Sequence, residues 1–169
     1  QGKVPRQMDN LRTERRHPMK LFHDARGWSG EIWRSPYPDG AEQYVVDYWA
    51  RSRERTIRGL HYRDPAQYGL LTVIRGRIFD VMVDMDNGKW EGVELHEGEQ
   101  IEVPVGMAHG YCVLSDWADV LYKLTEYWTP EYEHGIAWND PALAIKWPTN
   151  KPILSERDSK WPAWSSLAA

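Results

Sequence analysis

A chain of 169 residues with formal charge −4 and a pI near 5.9 suits one domain with a real core, and it offers no polycation for a nucleic-acid backbone or an anionic membrane. Its one cysteine, Cys112 in an apolar run, excludes an internal disulfide and suits a reducing, cytoplasmic compartment; no apolar stretch approaches membrane length, and the first residues lack a signal-peptide core. Ten Trp and nine Tyr against two Phe suit stacking of flat ligands and a wet subunit contact equally.

Residues 1–20 read as a polar arm or short edge strand, with Arg12, Arg15 and Arg16 solvated. From Leu21 to Trp33, Gly27 and Gly30 mark a turn between two short strands. After a turn at Pro36–Gly40, the Val, Tyr and Trp content of Gln43–Ala50 predicts a strand. Thr56–Tyr62, T-I-R-G-L-H-Y, is the next strand. Strict alternation would set Arg58 and His61 on opposite faces, but a β-bulge at Gly59 would turn both to one cavity. Arg63–Gln67 is a loop. Short strands follow at Gly69–Arg75, Arg77–Met85, Lys89–Leu95, Gln100–Val103, His109–Leu114 and Ala118–Thr125. In Arg77–Met85, Phe79, Val81 and Val83 alternate with Asp80, Met82 and Asp84, and Asp86-Asn87-Gly88 is a hairpin signal. Many short strands with Gly and Asp turns predict an all-β sandwich or barrel. The Pro- and Trp-rich segment 130–169 is expected to wrap that barrel with short helical turns. No repeat or linker divides the chain, so a single domain is expected over 1–169.

A small barrel with an inward histidine suggests a cupin-type jelly roll. Metal-binding cupins present two histidines one residue apart. Here the position two after His61 is Arg63, a cation that would repel a metal, and the six histidines show no ligand spacing. No metal and no cofactor are expected. No G-x-S-x-G or P-loop occurs, and Cys112 lies in a strand, so nucleophilic catalysis and nucleotide hydrolysis lack support. What remains is His61 as a proton carrier, an arginine suited to anions at Arg58, and Tyr122 in D-V-L-Y-K-L. For each, a bland reading stays open: a surface charge, a core histidine, a core tyrosine. Asp158 in L-S-E-R-D is placed to orient a histidine or to lie exposed in the tail.

Several ordered motifs together carry a resemblance. They are R-G-L-H-Y, R-G-x-I-F-D-V-x-V-D, G-M-A-H-G-Y, L-S-D-x-A-D-V-L-Y-K, W-N-D-P-A-L-A-I-K-W-P and I-L-S-E-R-D. From Phe22 to Asp158 the chain resembles the dTDP-4-dehydrorhamnose 3,5-epimerase family. The resemblance implies a metal-free cupin barrel, usually a homodimer, acting on a nucleotide-diphosphate 4-keto-6-deoxyhexose. It implies His61 as base, Asp158 as its partner and Tyr122 as acid on the opposite face of the sugar. Arg58, with Arg26 and Glu31 from D-x-R-G-x-x-x-E, matches positions that hold the nucleotide diphosphate. His109 matches a pocket-lining histidine, and Trp128 an aromatic near the nucleotide.

The chemistry is consistent with those residues. Carbons 3 and 5 flank the carbonyl at carbon 4, so their hydrogens are acidic. Inversion needs a base on one face, a proton donor on the other, and something to hold the enolate charge. Three departures bear on this. The family has a lysine, thought to stabilise the enolate, where this chain has Gly69; Arg63, where the family usually has Gln, is the nearest replacement. Val46 and Tyr48 stand where the family often reads Q-x-N, which bears on the nucleotide base accepted. Ser29 stands where Phe is usual. An epimerase acting at carbon 3, carbon 5 or both is the first expectation. A nucleotide-sugar binder with little chemistry is the second, and a ketoisomerase ranks last.

Overall fold

The computed structural model describes residues 16–18, 21–24, 27–30, 44–127 and 129–167. Among the described residues, twelve strands are defined: β1 (Arg16–Pro18), β2 (Leu21–Asp24), β3 (Gly27–Gly30), β4 (Val46–Arg53), β5 (Ile57–Arg63), β6 (Gly69–Arg75), β7 (Arg77–Asp84), β8 (Trp90–His96), β9 (Glu99–Val103), β10 (Met107–Val113), β11 (Trp117–Leu124) and β12 (Glu133–Gly135). They form two five-stranded antiparallel sheets, β1-β9-β6-β11-β4 and β12-β5-β10-β7-β8, beside a β2-β3 hairpin. This is a jelly-roll arrangement, as the closely spaced short strands predict. Among the described residues, no helix is long and apolar enough to cross a membrane.

Alternation decides what fills the space between the sheets. Leu71 and Val73 of β6, Ile78 and Met82 of β7, Tyr111 and Val113 of β10, and Val120 of β11 form the inner core. The other face of β7 carries Val81 and Val83 into a second core with Leu60, Ala108, Ile136 and Leu143. The C-terminal segment covers that outer face. Trp147, Trp164 and Leu167 pack against it, and the Trp90 indole donates to the Leu143 carbonyl at 2.8 Å. Each fully buried aliphatic side chain contributes roughly 1.5–3 kcal/mol, so the tail is held by burial rather than by regular structure. Its only helical pieces among the described residues are 3-10 turns at Pro130–Tyr132, Asp158–Lys160 and Trp164–Ser166.

The bulge expected at Gly59 is present. Arg58 stands opposite Tyr111 and His61 opposite His109, so Gly59 and Leu60 together face Gly110 alone. Gly59 has φ +134°, and a Cβ there would lie 2.6 Å from the Gly110 Cα. The extra residue leaves Leu60 on the outer core while Arg58 and His61 both turn inward.

Some boundaries differ from the sequence reading. Asp24 pairs with Gly27, so both Gly27 and Gly30 belong to the second strand of the hairpin rather than to a turn. β4 runs on to Arg53 because β11 pairs with it along its whole length. β10 starts at Met107, inside the expected connection, because it pairs with Asp84 there. The tail also contributes a strand, β12, which pairs with the end of β5.

Candidate active site

Two inner faces meet at one end of the barrel. From the second sheet come Arg58, His61 and Arg63 on β5, His109 and Tyr111 on β10, and Asp80 on β7. From the first sheet come Tyr122 on β11, Tyr48 opposite it on β4, and Gly69 on β6. The Tyr48 and Tyr122 ring centroids are 6.3 Å apart, and His109 sets its ring edge-on to Tyr122 at 6.2 Å. His109 is also the cross-strand neighbour of His61. Tyr122 and the histidines therefore approach one space from opposite sheets.

The tail completes the surroundings of His61. Asp158 Oδ1 lies 2.6 Å from His61 Nε2 and also accepts from the Trp161 indole at 3.1 Å; the Ser155 hydroxyl accepts from the Asp158 backbone N–H. Burial works against charge on Asp158, but the bonds to His61, Trp161 and Ser155 outweigh it and hold the carboxyl below its ordinary range. An ionised Asp158 can only accept, so Nε2 carries the proton and Nδ1 is the free nitrogen. Nδ1 lies 3.7 Å from Glu133 Oε1, and the other Glu133 oxygen accepts from Arg157. The Arg157 guanidinium is 5.3 Å from the centre of the Trp161 ring, which packs T-shaped with the His61 ring at 6.0 Å between centroids.

Tyr122 is a different kind of acid. Burial first, then the nearby Tyr111 and Asp80, push its phenol well above its ordinary value, while Arg58 pulls the other way. It keeps its proton until a strong acceptor appears. His109 Nε2 meets Asp80 Oδ2 at 2.7 Å, both side chains being buried. The Arg58 Nε–H donates to Ser52 Oγ at 2.9 Å. Arg63 gives one N–H to the Tyr127 carbonyl at 2.9 Å, and its Nε is buried without an acceptor. At Gly69 a built Cβ would press on the flexible end of Leu124 at 3.3 Å and meet the Lys123 carbonyl and Val103 Cβ at ordinary contact distances of 3.7 and 3.9 Å, so a side chain fits there once Leu124 yields slightly. Burial raises the Cys112 thiol to about 11 on the outer side of β10, which removes it as a nucleophile.

His61, Asp158, Tyr122, His109, Arg58 and Arg63 are thus gathered in one region. Arg26, Glu31 and Trp128 lie outside the described residues. The sequence reading missed Glu133, Arg157, Asp80 and Trp161. Asp80 had a signal, a carboxylate alternating inward beside Met82. The other three come from the tail and reach His61 only through tertiary packing.

Residues 15–166 match the sequence profile of the dTDP-4-dehydrorhamnose 3,5-epimerase family. A Pseudomonas aeruginosa protein of that name is 38% identical over 159 residues, covering 86% of this chain and 88% of the relative. A Neisseria gonorrhoeae protein of the same name is 39% identical over 158 residues; the chain spans about half, 48%, of that relative's length and is itself covered to 86%. The crystal structure of dTDP-6-deoxy-D-glucose-3,5-epimerase from Legionella pneumophila, in complex with dTDP-4-keto-L-rhamnose, superposes with a TM-score of 0.82. It is 35% identical, with 89% of this chain and 87% of that chain covered.

Proposed function

Since this chain belongs to the dTDP-4-dehydrorhamnose 3,5-epimerase family, we propose that it inverts carbon 3, carbon 5 or both of a nucleotide-linked 4-keto-6-deoxyhexose. The observation that carries this is the pairing of unlike proton carriers. His61, oriented by a buried aspartate, comes from one sheet, and a protonated Tyr122 comes from the other. In this reading Asp158 fixes the imidazole so that bare Nδ1 removes a hydrogen beside the carbonyl. The electrons move onto the carbonyl oxygen, and the Tyr122 phenol delivers a proton to the opposite face of the carbon. No electron leaves the substrate, and no metal or cofactor enters the scheme.

The enolate needs a donor during this step. Arg63 is the cation we assign to it. It follows His61 by two residues on the same face of β5, and its Nε is buried with no acceptor. Arg58, with Arg26 and Glu31, is assigned to the nucleotide diphosphate, Trp128 to the nucleotide and His109 to the pocket wall. We also propose a single domain and a homodimer. Gly69 favours a second reading, a protein that binds nucleotide-sugar but turns it over poorly.

Incubating the protein with nucleotide-linked 4-keto-6-deoxyhexoses in deuterated water separates the two. Deuterium entering carbon 3 or 5 with formation of an inverted product supports the epimerase and names the centre. Tight binding with no deuterium uptake supports the binder.

A further inference from the structure

Asp158 Oδ1 receives two donors, His61 Nε2 at 2.6 Å and the indole N–H of Trp161 at 3.1 Å. The Asp158 side chain is 7% exposed, so water is poorly placed to supply the second donor. Local structure puts the indole there. Asp158–Lys160 is a 3-10 turn, in which side chains three apart stand one above the other, and Trp161 follows Asp158 by three. Pro162 comes next and favours extended backbone at Trp161, which has φ −61° and ψ 144°. The ring is then held by its surroundings. A Cβ on Gly135 would lie 2.4 Å from Trp161 Cδ2 and Cε2, so the indole rests directly on β12 where that strand pairs with His61. The Pro162 carbonyl accepts from the Ala137 N–H at 2.8 Å, which ties the chain beyond Trp161 to the same segment. Arg157 adds a guanidinium 5.3 Å from the ring centre.

Given the epimerase reading, on which this inference rests, we propose that Trp161 is a positioning residue: its N–H anchors Asp158 Oδ1 against His61 and so keeps the base in its working tautomer. Trp161 touches no reacting atom and acts through the carboxylate. An aspartate held by one bond alone is free to turn about its side-chain torsions. An imidazole that loses its acceptor at Nε2 can carry its proton on Nδ1 instead, the nitrogen that must be bare to take a hydrogen from the sugar. Two donors on one oxygen remove that freedom, because one comes from the base and the other from a ring seated on β12. The backbone of β12 thus serves the base twice, by pairing with its strand and by carrying the indole that fixes its aspartate.

The test compares wild type, Trp161→Phe and Trp161→His, all at a pH above the imidazole range. It reads turnover of a nucleotide-linked 4-keto-6-deoxyhexose and the nitrogen NMR of the His61 ring, which reports the tautomer. Trp161→Phe keeps a ring on Gly135 and loses the donor. It should keep its KM, lose about 10-fold in kcat, below the roughly 10²-fold that a misplacement of ~1 Å can cost, and show His61 protonated at Nδ1 as well as Nε2. Trp161→His loses the six-membered half of the indole, but its Nε2–H takes the place of the indole N–H in the five-membered ring. It should stay closer to wild type in both kcat and tautomer, whereas a residue needed only for packing would rank Phe above His. Should Trp161→Phe fail to fold, benzothienylalanine placed at Trp161 carries the same readout, since it keeps the bicyclic ring and lacks only the N–H. A Trp161→Phe protein with wild-type kcat and His61 protonated at Nε2 alone, or a Trp161→His protein more damaged than Trp161→Phe, overturns the anchor while leaving the epimerase reading intact. A wild type that neither labels nor converts the sugar in deuterated water overturns that reading, and the catalytic role of the anchor with it.

Discussion

The proposed base and the proposed acid differ in what holds their protons. Asp158 keeps His61 in one tautomer, and burial keeps the Tyr122 phenol protonated. Tyr122→Phe should remove the donor on the second face while His61 still takes and returns a hydrogen. Recovered substrate should then gain deuterium while product formation falls by about 10²-fold or more, read by NMR of the sugar. Equal losses of exchange and product would argue against this division. Asp158 also makes a pH prediction. Its folded pKa is depressed, so the stability it adds is present above the unfolded value of about 3.9 and is lost as pH falls through the lower folded value. Asp158→Asn should therefore lower the melting temperature at neutral pH and narrow the gap to wild type below about pH 4.

At the scale of elements, the Gly59 bulge in β5 decides which residues share the cavity. Gly59→Ala would place a Cβ 2.6 Å from the Gly110 Cα and 2.9 Å from the His109 carbonyl, backbone atoms that have little room to yield, at a φ that L-residues avoid. It should cost about 1–3 kcal/mol in chemical denaturation and reduce activity beyond that, by shifting His61 against His109. A variant with full stability and activity would contradict this account of the bulge. This element was legible in the sequence, because an Arg, a Gly and a His within four residues make sense on one face only with a bulge. The alternation of β7 was legible for the same kind of reason, since period two requires only the local chain. β12 was not. It has three residues, follows a proline turn, and is a strand only because the end of β5 offers it a partner. Glu133 and Arg157 were hidden with it, since no spacing along the chain signals a contact made by tail packing.

Across the whole molecule, the tail does two jobs. It covers the outer core and carries Glu133 and Asp158 to His61. Asp140 ties its turns together, accepting from the backbone N–H groups of Ala142, Leu143 and Trp164 at 2.8, 3.0 and 2.8 Å. Asp140→Ala should leave these donors short of an acceptor, at roughly 1–3 kcal/mol for each that stays unsatisfied. Melting temperature and activity should fall together although Asp140 touches no reacting atom; a drop in stability with full activity would show that the tail does not set the site. The central claim joins both five-stranded sheets and the tail: a base on one sheet, an acid on the other, and an orienting aspartate from the tail. It is tested most directly by deuterium exchange into a nucleotide-linked 4-keto-6-deoxyhexose with His61→Asn, alongside calorimetric measurement of its affinity. The account predicts near wild-type affinity, with exchange reduced by at least ~10² at whichever of carbon 3 and carbon 5 the wild type labels. Exchange at the wild-type rate would contradict it.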